Sequence, residues 1–219
     1  YPYQTSWGVS TRMMGALIMV HSDDYGLVLP PRIAPNKVVI IPISNDLEVM
    51  SMANDYLDKL KKEGIEAYID DSEKSPGYKF AEAEVLGIPV RIEIGKRDLE
   101  NNVITLVRRD TREKREVFTN TDIVHDVKIL LEDIQRDMYD RALRRREEMT
   151  YTCTDIEDFK DIINNHPGFV KAMWCGDTAC EEKIKEIRGC KSRCIPFEEE
   201  HLSDKCIVCG REAKHLVIW

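Results

Sequence analysis

A chain of 219 residues is long enough for two domains and a sizeable core. Its apolar share of 42% is ordinary, and its apolar runs fall well short of a bilayer span, so a membrane protein is not expected. A formal net charge of −8 argues against nucleic-acid binding by bulk charge, while basic clusters at Arg108-Arg109, Arg112 to Arg115 and Arg141 to Arg146 leave room for a local RNA-binding face.

Met13 to Val20 is almost wholly apolar around Gly15. Pro30-Pro31-Arg32-Ile33-Ala34-Pro35 follows; its prolines cannot continue a helix and predict an extended linker. Residues 36–148 then alternate strand and helix. Lys37 to Ile43 is a continuous β-branched run, as expected of a strand buried on both faces. Asn45 or Asp46 caps a helix whose apolar positions are Met50, Ala53, Leu57 and Leu60, and Gly64 ends it. Ile65 to Ile69 is the next strand. Ser75-Pro76-Gly77 opens a second helix, stopped by Gly87 and Pro89. Val90 to Ile94 and Val103 to Val107 read as strands, and Arg115 to Phe118 as a short edge strand. Thr121-Asp122 caps a long helix with Val127, Leu131, Ile134 and Met138 on one stripe. Helices between strands imply an α/β layered domain with at least one parallel strand pair.

Residues 149–219 form a third segment. Asp155 caps a helix ending at Asn164-Asn165, His166-Pro167-Gly168 turns the chain, and Phe169 to Trp174 is a strand. Two tight cysteine pairs follow, Cys175-x4-Cys180 and Cys206-x2-Cys209, the second leading into the strand-like His215 to Trp219. Loops of this length turn two thiolates onto one ion, and two such loops complete a tetrahedral zinc site. A metal staple suits so small a segment. Seven cysteines, an odd number, fit a reducing compartment with a metal site better than a disulfide framework. The alternatives are four reduced, buried thiols, or a ligand set that includes Cys190-x3-Cys194. Gly176 inside the first loop favours the two outer pairs.

Ser6-Trp7-Gly8-Val9-Ser10-Thr11-Arg12, with Gly26-Leu27-Val28-Leu29-Pro30-Pro31-Arg32 behind it, is similar to the third signature motif of class II aminoacyl-tRNA synthetases. The Ser-Trp-Gly version resembles the prolyl-tRNA synthetases of class IIa. Ser75-Pro76-Gly77-Tyr78-Lys79-Phe80, the run Gly87 to Asp98, and Arg108-Arg109-Asp110-Thr111 resemble the anticodon-binding domain of that family. The four-cysteine tail resembles the zinc-binding C-terminal domain of its archaeal and eukaryotic-type members.

The resemblance implies a fold of three parts. Residues 1–35 would be the end of a class II catalytic domain. Residues 36–148 would be an α/β anticodon-binding domain with a mixed sheet, and residues 149–219 a small α+β zinc-binding domain. It implies ATP-dependent ligation of proline to tRNA(Pro) through a prolyl-adenylate, with Mg2+ accompanying ATP. The enzyme would be cytoplasmic, without a membrane partner, and a homodimer through the N-terminal catalytic part, which this chain lacks. By resemblance Arg12 is the catalytic arginine on the ATP phosphates, a task suited to a group that stays charged and forks its donors. Trp7 offers a flat wall to a pyrrolidine ring, Gly8 lets backbone approach a ligand, and Ser10 and Thr11 supply hydroxyls. Glu93, Lys96, Arg97 and Asp98 follow a buried strand, where α/β folds place ligands. Side by side, acids and bases suit the two adjacent guanines of proline anticodons. Lys79 and Arg109 are further anticodon contacts by resemblance. Cys175, Cys180, Cys206 and Cys209 are the structural zinc ligands. Two other readings stand beside this one: another class IIa synthetase, and a non-catalytic tRNA-binding or zinc-stabilised module.

Overall fold

The computed structural model describes residues 3–219; Tyr1 and Pro2, at the head of the expected 1–35 segment, lie outside them. The chain divides into two compact units between Tyr139 and Asp140. The described residues up to Pro35 group with the first unit.

The first unit opens with helix α1 (Arg12–Val20) and a small hairpin, β1 (Ser22–Asp23) and β2 (Gly26–Leu27). There follow β3 (Val38–Pro42), α2 (Leu47–Lys62), β4 (Ala67–Ile69), α3 (Pro76–Leu86), β5 (Val90–Ile94), α4 (Lys96–Glu100), β6 (Val103–Arg108), β7 (Lys114–Phe118) and α5 (Ile123–Glu148), whose residues from Asp140 on belong to the second unit. The sheet order is β4-β3-β5-β6-β7. β3 pairs in parallel with β4 and β5, and β6 and β7 extend the sheet antiparallel, so it is mixed. The crossovers through α2 and α3 make the parallel pairs, and short connections make the antiparallel ones.

β3 is buried on both faces. Val38 and Ile40 join the core built with α2 and α5, where Val49, Ala53, Tyr56, Leu60, Val127 and Ile134 pack. Val39 and Ile41 pack with Ala83 and Ile88, and with half-buried Phe80 and Tyr68, on the face that α3 covers. The stripe of α2 differs from the expected one. Val49, Ala53, Tyr56 and Leu60 are the buried positions, while Met50 is only half-buried. Both rows have helical spacing, and the sheet selects the row with Tyr56. The caps follow the sequence at Asp122, which accepts from the Val124 and His125 amides, and at Asp155, which accepts from Glu157 and Asp158. Asp46 occupies its N-cap, but its carboxylate accepts from the Ser44 hydroxyl and not from the helix.

The prolines after β2 turn the chain instead of extending it. The Pro30 carbonyl accepts from the Ile33 and Ala34 amides at 3.0 and 3.1 Å. Pro31 sits second in that turn, where a φ locked near −65° is already correct.

The hairpin lies against α3 by close backbone approach. A Cβ at Gly26, whose φ is +137°, would fall 2.4 Å from the Val85 Cα. One at Gly87, which closes α3 with φ +70°, would fall 2.5 Å from Leu27. Arg109, 4% exposed, reaches Asp23 with both guanidinium nitrogens, at 2.8 and 2.6 Å. That fork holds the Asp23 carboxyl down at about 2 from an ordinary 3.8. A depressed acid stabilises the fold above its unfolded value and loses that contribution as pH falls through the folded value. The Asp23 side chain is 38% exposed, so water screens the pair. Asp23→Asn is therefore expected to cost about 1–2 kcal/mol near neutral pH. The difference from wild type should close as pH falls from about 4 to about 2, read from urea midpoints. A difference that does not change with pH would show that the charge contributes nothing.

The second unit carries β8 (Thr150–Thr152), α6 (Ile156–Asn165), β9 (Phe169–Trp174), α7 (Thr178–Lys185) and β10 (His215–Ile218). The sheet order is β10-β9-β8, with β8 parallel and β10 antiparallel to β9. Phe159, Val170, Ala172, Ile184, Val217 and Trp219 form its core. The Phe159 and Trp219 rings meet edge to face at 6.4 Å and 85°. Among the described residues, no helix is long and apolar enough to cross a membrane.

Candidate functional site

Strand β5 reads Val90-Arg91-Ile92-Glu93-Ile94. Its odd and even residues point to opposite faces. Val90, Ile92 and Ile94 enter the core with α2 and α5. Arg91 and Glu93, 7% and 5% exposed, turn to the α3 face. Burial of two charges is tolerated because they are paired and hydrogen-bonded. Arg91 Nε donates to Glu93 Oε1 at 2.9 Å, and its Nη1 reaches the Phe80 carbonyl and Glu84 Oε1 at 3.4 Å each. The guanidinium stacks 4.4 Å from the Phe80 ring centre. Lys114 on β7 closes the group, 3.2 Å from Glu93 Oε2 and 5.7 Å from the Phe80 centre. Arg109 joins through Glu84, whose carbonyl accepts its Nε at 3.0 Å. The result is a network of alternating sign around an aromatic ring that is itself only half-buried.

β5 ends at Gly95, the N-cap of α4. α4 carries Lys96, Arg97 and Asp98, the first two exposed and Asp98 half-buried. A Cβ at Gly95 would lie 2.7 Å from the Asp98 carboxylate, so that carboxylate folds back over the strand end. Lys96 Nζ stands 3.8 Å from Asp46, beyond the end of neighbouring β3. Lys79 is placed otherwise. It is 4% exposed, and its amine donates to the Asp70 carbonyl at 2.9 Å, holding the loop after β4. The expected residues thus separate by environment. Lys96, Arg97 and Asp98 lie on one short helix, Glu93 sits within a buried network, and Lys79 and Arg109 are committed to backbone and to Asp23. Sequence reading missed Phe80, Glu84, Arg91 and Lys114. One signal pointed to Arg91: with Glu93 it places charges at alternate positions of an otherwise apolar strand, both on one face.

Trp7, Gly8, Ser10, Thr11 and Arg12 are all exposed, Trp7 at 91%. Thr11 is the N-cap of α1, and Arg12 is its first residue. α1 buries none of its residues and displays Met13, Met14, Ile18, Met19 and Val20.

In the second unit the four cysteines of the outer pairs converge. Cys175 follows β9, Gly176 turns with φ +85°, and Asp177 caps α7, whose third residue is Cys180. Cys206 to Cys209 is a turn closed by Gly210, with φ +70° and its amide 2.9 Å from the Cys206 carbonyl. The four sulfurs lie within 4.8 Å of one another, with Cys175 3.7 Å from Cys180 and 3.8 Å from Cys209. Thiolates about 2.3 Å from a tetrahedral zinc stand about 3.8 Å apart, so the donor set fits that ion. Cys190 is buried in the separate core with Phe159 and Trp219, and Cys194 is exposed. Among the described residues, the metal-competent group is Cys175, Cys180, Cys206 and Cys209. Burial and neighbouring thiols push Cys180 up to about 12, burial raises Cys175, and a hydrogen bond from Arg211 brings Cys209 down to about 6.

Comparison with known proteins finds two family matches and several close relatives. Residues 37–124 match the family described as "Anticodon binding domain", and residues 156–219 match "Prolyl-tRNA synthetase, C-terminal". A proline–tRNA ligase of Clostridium novyi (strain NT) is 53% identical over 222 aligned residues, covering 100% of this chain and 46% of the relative. Those of Clostridium botulinum (strain Loch Maree / Type A3) and Lachnoclostridium phytofermentans are 51% and 52% identical over 220 residues, with the same coverage. The chain spans about half the length of the curated relatives it matches, 46% in each of these three.

Proposed function

From a chain that belongs to the proline–tRNA ligase family along its whole length, we propose that the full-length protein joins proline to tRNA(Pro) through a prolyl-adenylate. We assign the reading of the anticodon to the 37–124 domain. The observation that carries the assignment is the Arg91–Glu93–Lys114 network beside Phe80, with Asp98 on α4 after the same strand. A carboxylate accepts from guanine N1–H and N2–H, while Arg and Lys donate to O6 and N7. A half-exposed ring suits stacking of an unpaired base. Lys96 and Arg97, exposed at the strand end, suit phosphates. Lys79 and Arg109 serve by holding the loop after β4 and the Asp23 hairpin.

In this reading residues 1–35 close a catalytic domain. Arg12 would bind the ATP phosphates, with Mg2+ accompanying the nucleotide. Trp7, Gly8, Ser10 and Thr11 would border the proline site. The four thiolates would hold a structural zinc, which with four protein ligands leaves no position for a reacting water. Dimerisation through the remainder of the catalytic domain and a cytoplasmic location complete the proposal. For these 219 residues by themselves, the anticodon-binding domain over residues 37–124 favours tRNA binding without catalysis.

ATP–pyrophosphate exchange by the full-length protein, run with each amino acid, tests the assignment. Proline alone should support exchange. Arg12→Ala should lower it by about 10²–10³-fold, the cost of one preorganised electrostatic donor. Exchange driven by another amino acid, or near-normal exchange in Arg12→Ala, would overturn the reading.

A further inference from the structure

One residue outside the four thiols is engaged with both cysteine loops. Arg211 stands two positions beyond Cys209. Its Nε donates to Cys209 Sγ at 3.3 Å. Its Nη2 donates to the Asp177 carboxylate at 2.5 Å and points toward Cys175 Sγ at 3.9 Å. Asp177 belongs to the other loop, between Cys175 and Cys180, and the same carboxylate caps α7 through the Ala179 amide at 2.9 Å. The Trp174 indole braces that loop by donating to the Asp177 carbonyl at 3.1 Å. The guanidinium therefore bridges the loops through groups that are not themselves metal ligands.

We propose that Arg211, oriented by Asp177, is a positioning residue that locks the two cysteine loops and neutralises charge at the metal, slowing the loss of zinc. The inference rests on the zinc reading above. A divalent ion on four thiolates leaves two uncompensated negative charges, which favour protonation and escape of a ligand. A guanidinium against Cys209 offsets one of them. Its planar fork serves a thiolate and a carboxylate together, which a point-charge ammonium does not. As a surface ion pair alone it contributes little, since the two side chains are 62% and 41% exposed. Its role lies in the metal's surroundings, where such outer partners are worth about 10–100-fold in affinity.

The test is zinc transfer from the zinc-loaded protein to a chromophoric chelator in excess, with unfolding midpoints measured on the same samples. Arg211→Met should release zinc about tenfold faster than wild type. Asp177→Asn keeps the helix cap, because asparagine caps as well as aspartate. It should still speed release, which separates orientation of Arg211 from stability of α7. Arg211→Lys should fall between wild type and Arg211→Met. Release rates for Arg211→Met and Asp177→Asn within twofold of wild type would overturn the role of Arg211 while leaving the zinc reading intact. A wild-type protein purified without zinc would overturn the zinc reading itself, and with it this inference.

Discussion

Cys206→Ser is expected to strip the metal from the protein and unfold the unit from Asp140 to Trp219, leaving the first unit folded. Cys206 is 2% exposed and lies in one buried cluster with Cys175 and Cys180. Around them the second unit has a core of one small sheet and two short helices. Structural zinc supplies apparent binding energy on the order of 10–16 kcal/mol in small peptides. A whole domain is stable by only about 5–15 kcal/mol. Losing one of four thiolates therefore removes a contribution as large as the entire margin. Elemental analysis should find one zinc per chain in wild type and none in Cys206→Ser. Limited proteolysis should then cut the mutant beyond Asp140 and spare the first unit. Chelator treatment of wild type should reproduce that pattern. Cys190→Ser and Cys194→Ser should retain the metal, because Cys190 packs with Phe159 and Trp219 and Cys194 is exposed. A fully folded, metal-free Cys206→Ser protein would show that the thiols pack as ordinary small apolar groups.

The second large effect is expected at Glu93. Glu93→Gln leaves Arg91 charged and 7% exposed, with a neutral amide in place of the carboxylate that accepts from it at 2.9 Å. Removing one member of a buried pair costs about 3–5 kcal/mol. Glu84, 3.4 Å away, and the Phe80 ring remain, so about 3 kcal/mol is expected. Asp98→Asn should hardly move stability, since Asp98 is half-buried at a helix start and outside that network. Both substitutions should weaken tRNA charging in the full-length enzyme while leaving adenylate formation nearly intact. Denaturant midpoints, charging and pyrophosphate exchange, measured together, distinguish the roles. An unshifted midpoint in Glu93→Gln would show that the pair is solvated. A parallel fall of charging and exchange would show that the residue holds the fold and does not read bases.

Much of this protein was written in short-range patterns. The β-branched run from Lys37 required a strand covered on both sides, because no alternation offered a wet face, and β3 is that strand. Asp155 and Asp122 announced helix starts because a carboxylate satisfies the free amides of the first turn. The outer cysteine pairs announced their own convergence, because each loop is only long enough to turn two sulfurs one way. Other features had no local signature. α4, from Lys96 to Glu100, is too short to display a period, and β8, Thr150–Thr152, is equally brief. Which row of α2 is buried depended on the sheet beneath it, and the choice fell on Val49 and Tyr56 rather than Met50. Arg109 and Asp23 are 86 residues apart, Lys114 and Glu93 are 21 apart, and Arg211 and Asp177 are 34 apart. Periodicity and capping are set by neighbours within a few residues, so the sequence alone determined the longer elements and an α/β plan with a parallel strand pair, and it favoured the outer thiols. Ion pairs across the fold require two surfaces to be brought together by the whole chain path, so only the tertiary structure decided which charges became scaffold and which stayed free at the surface.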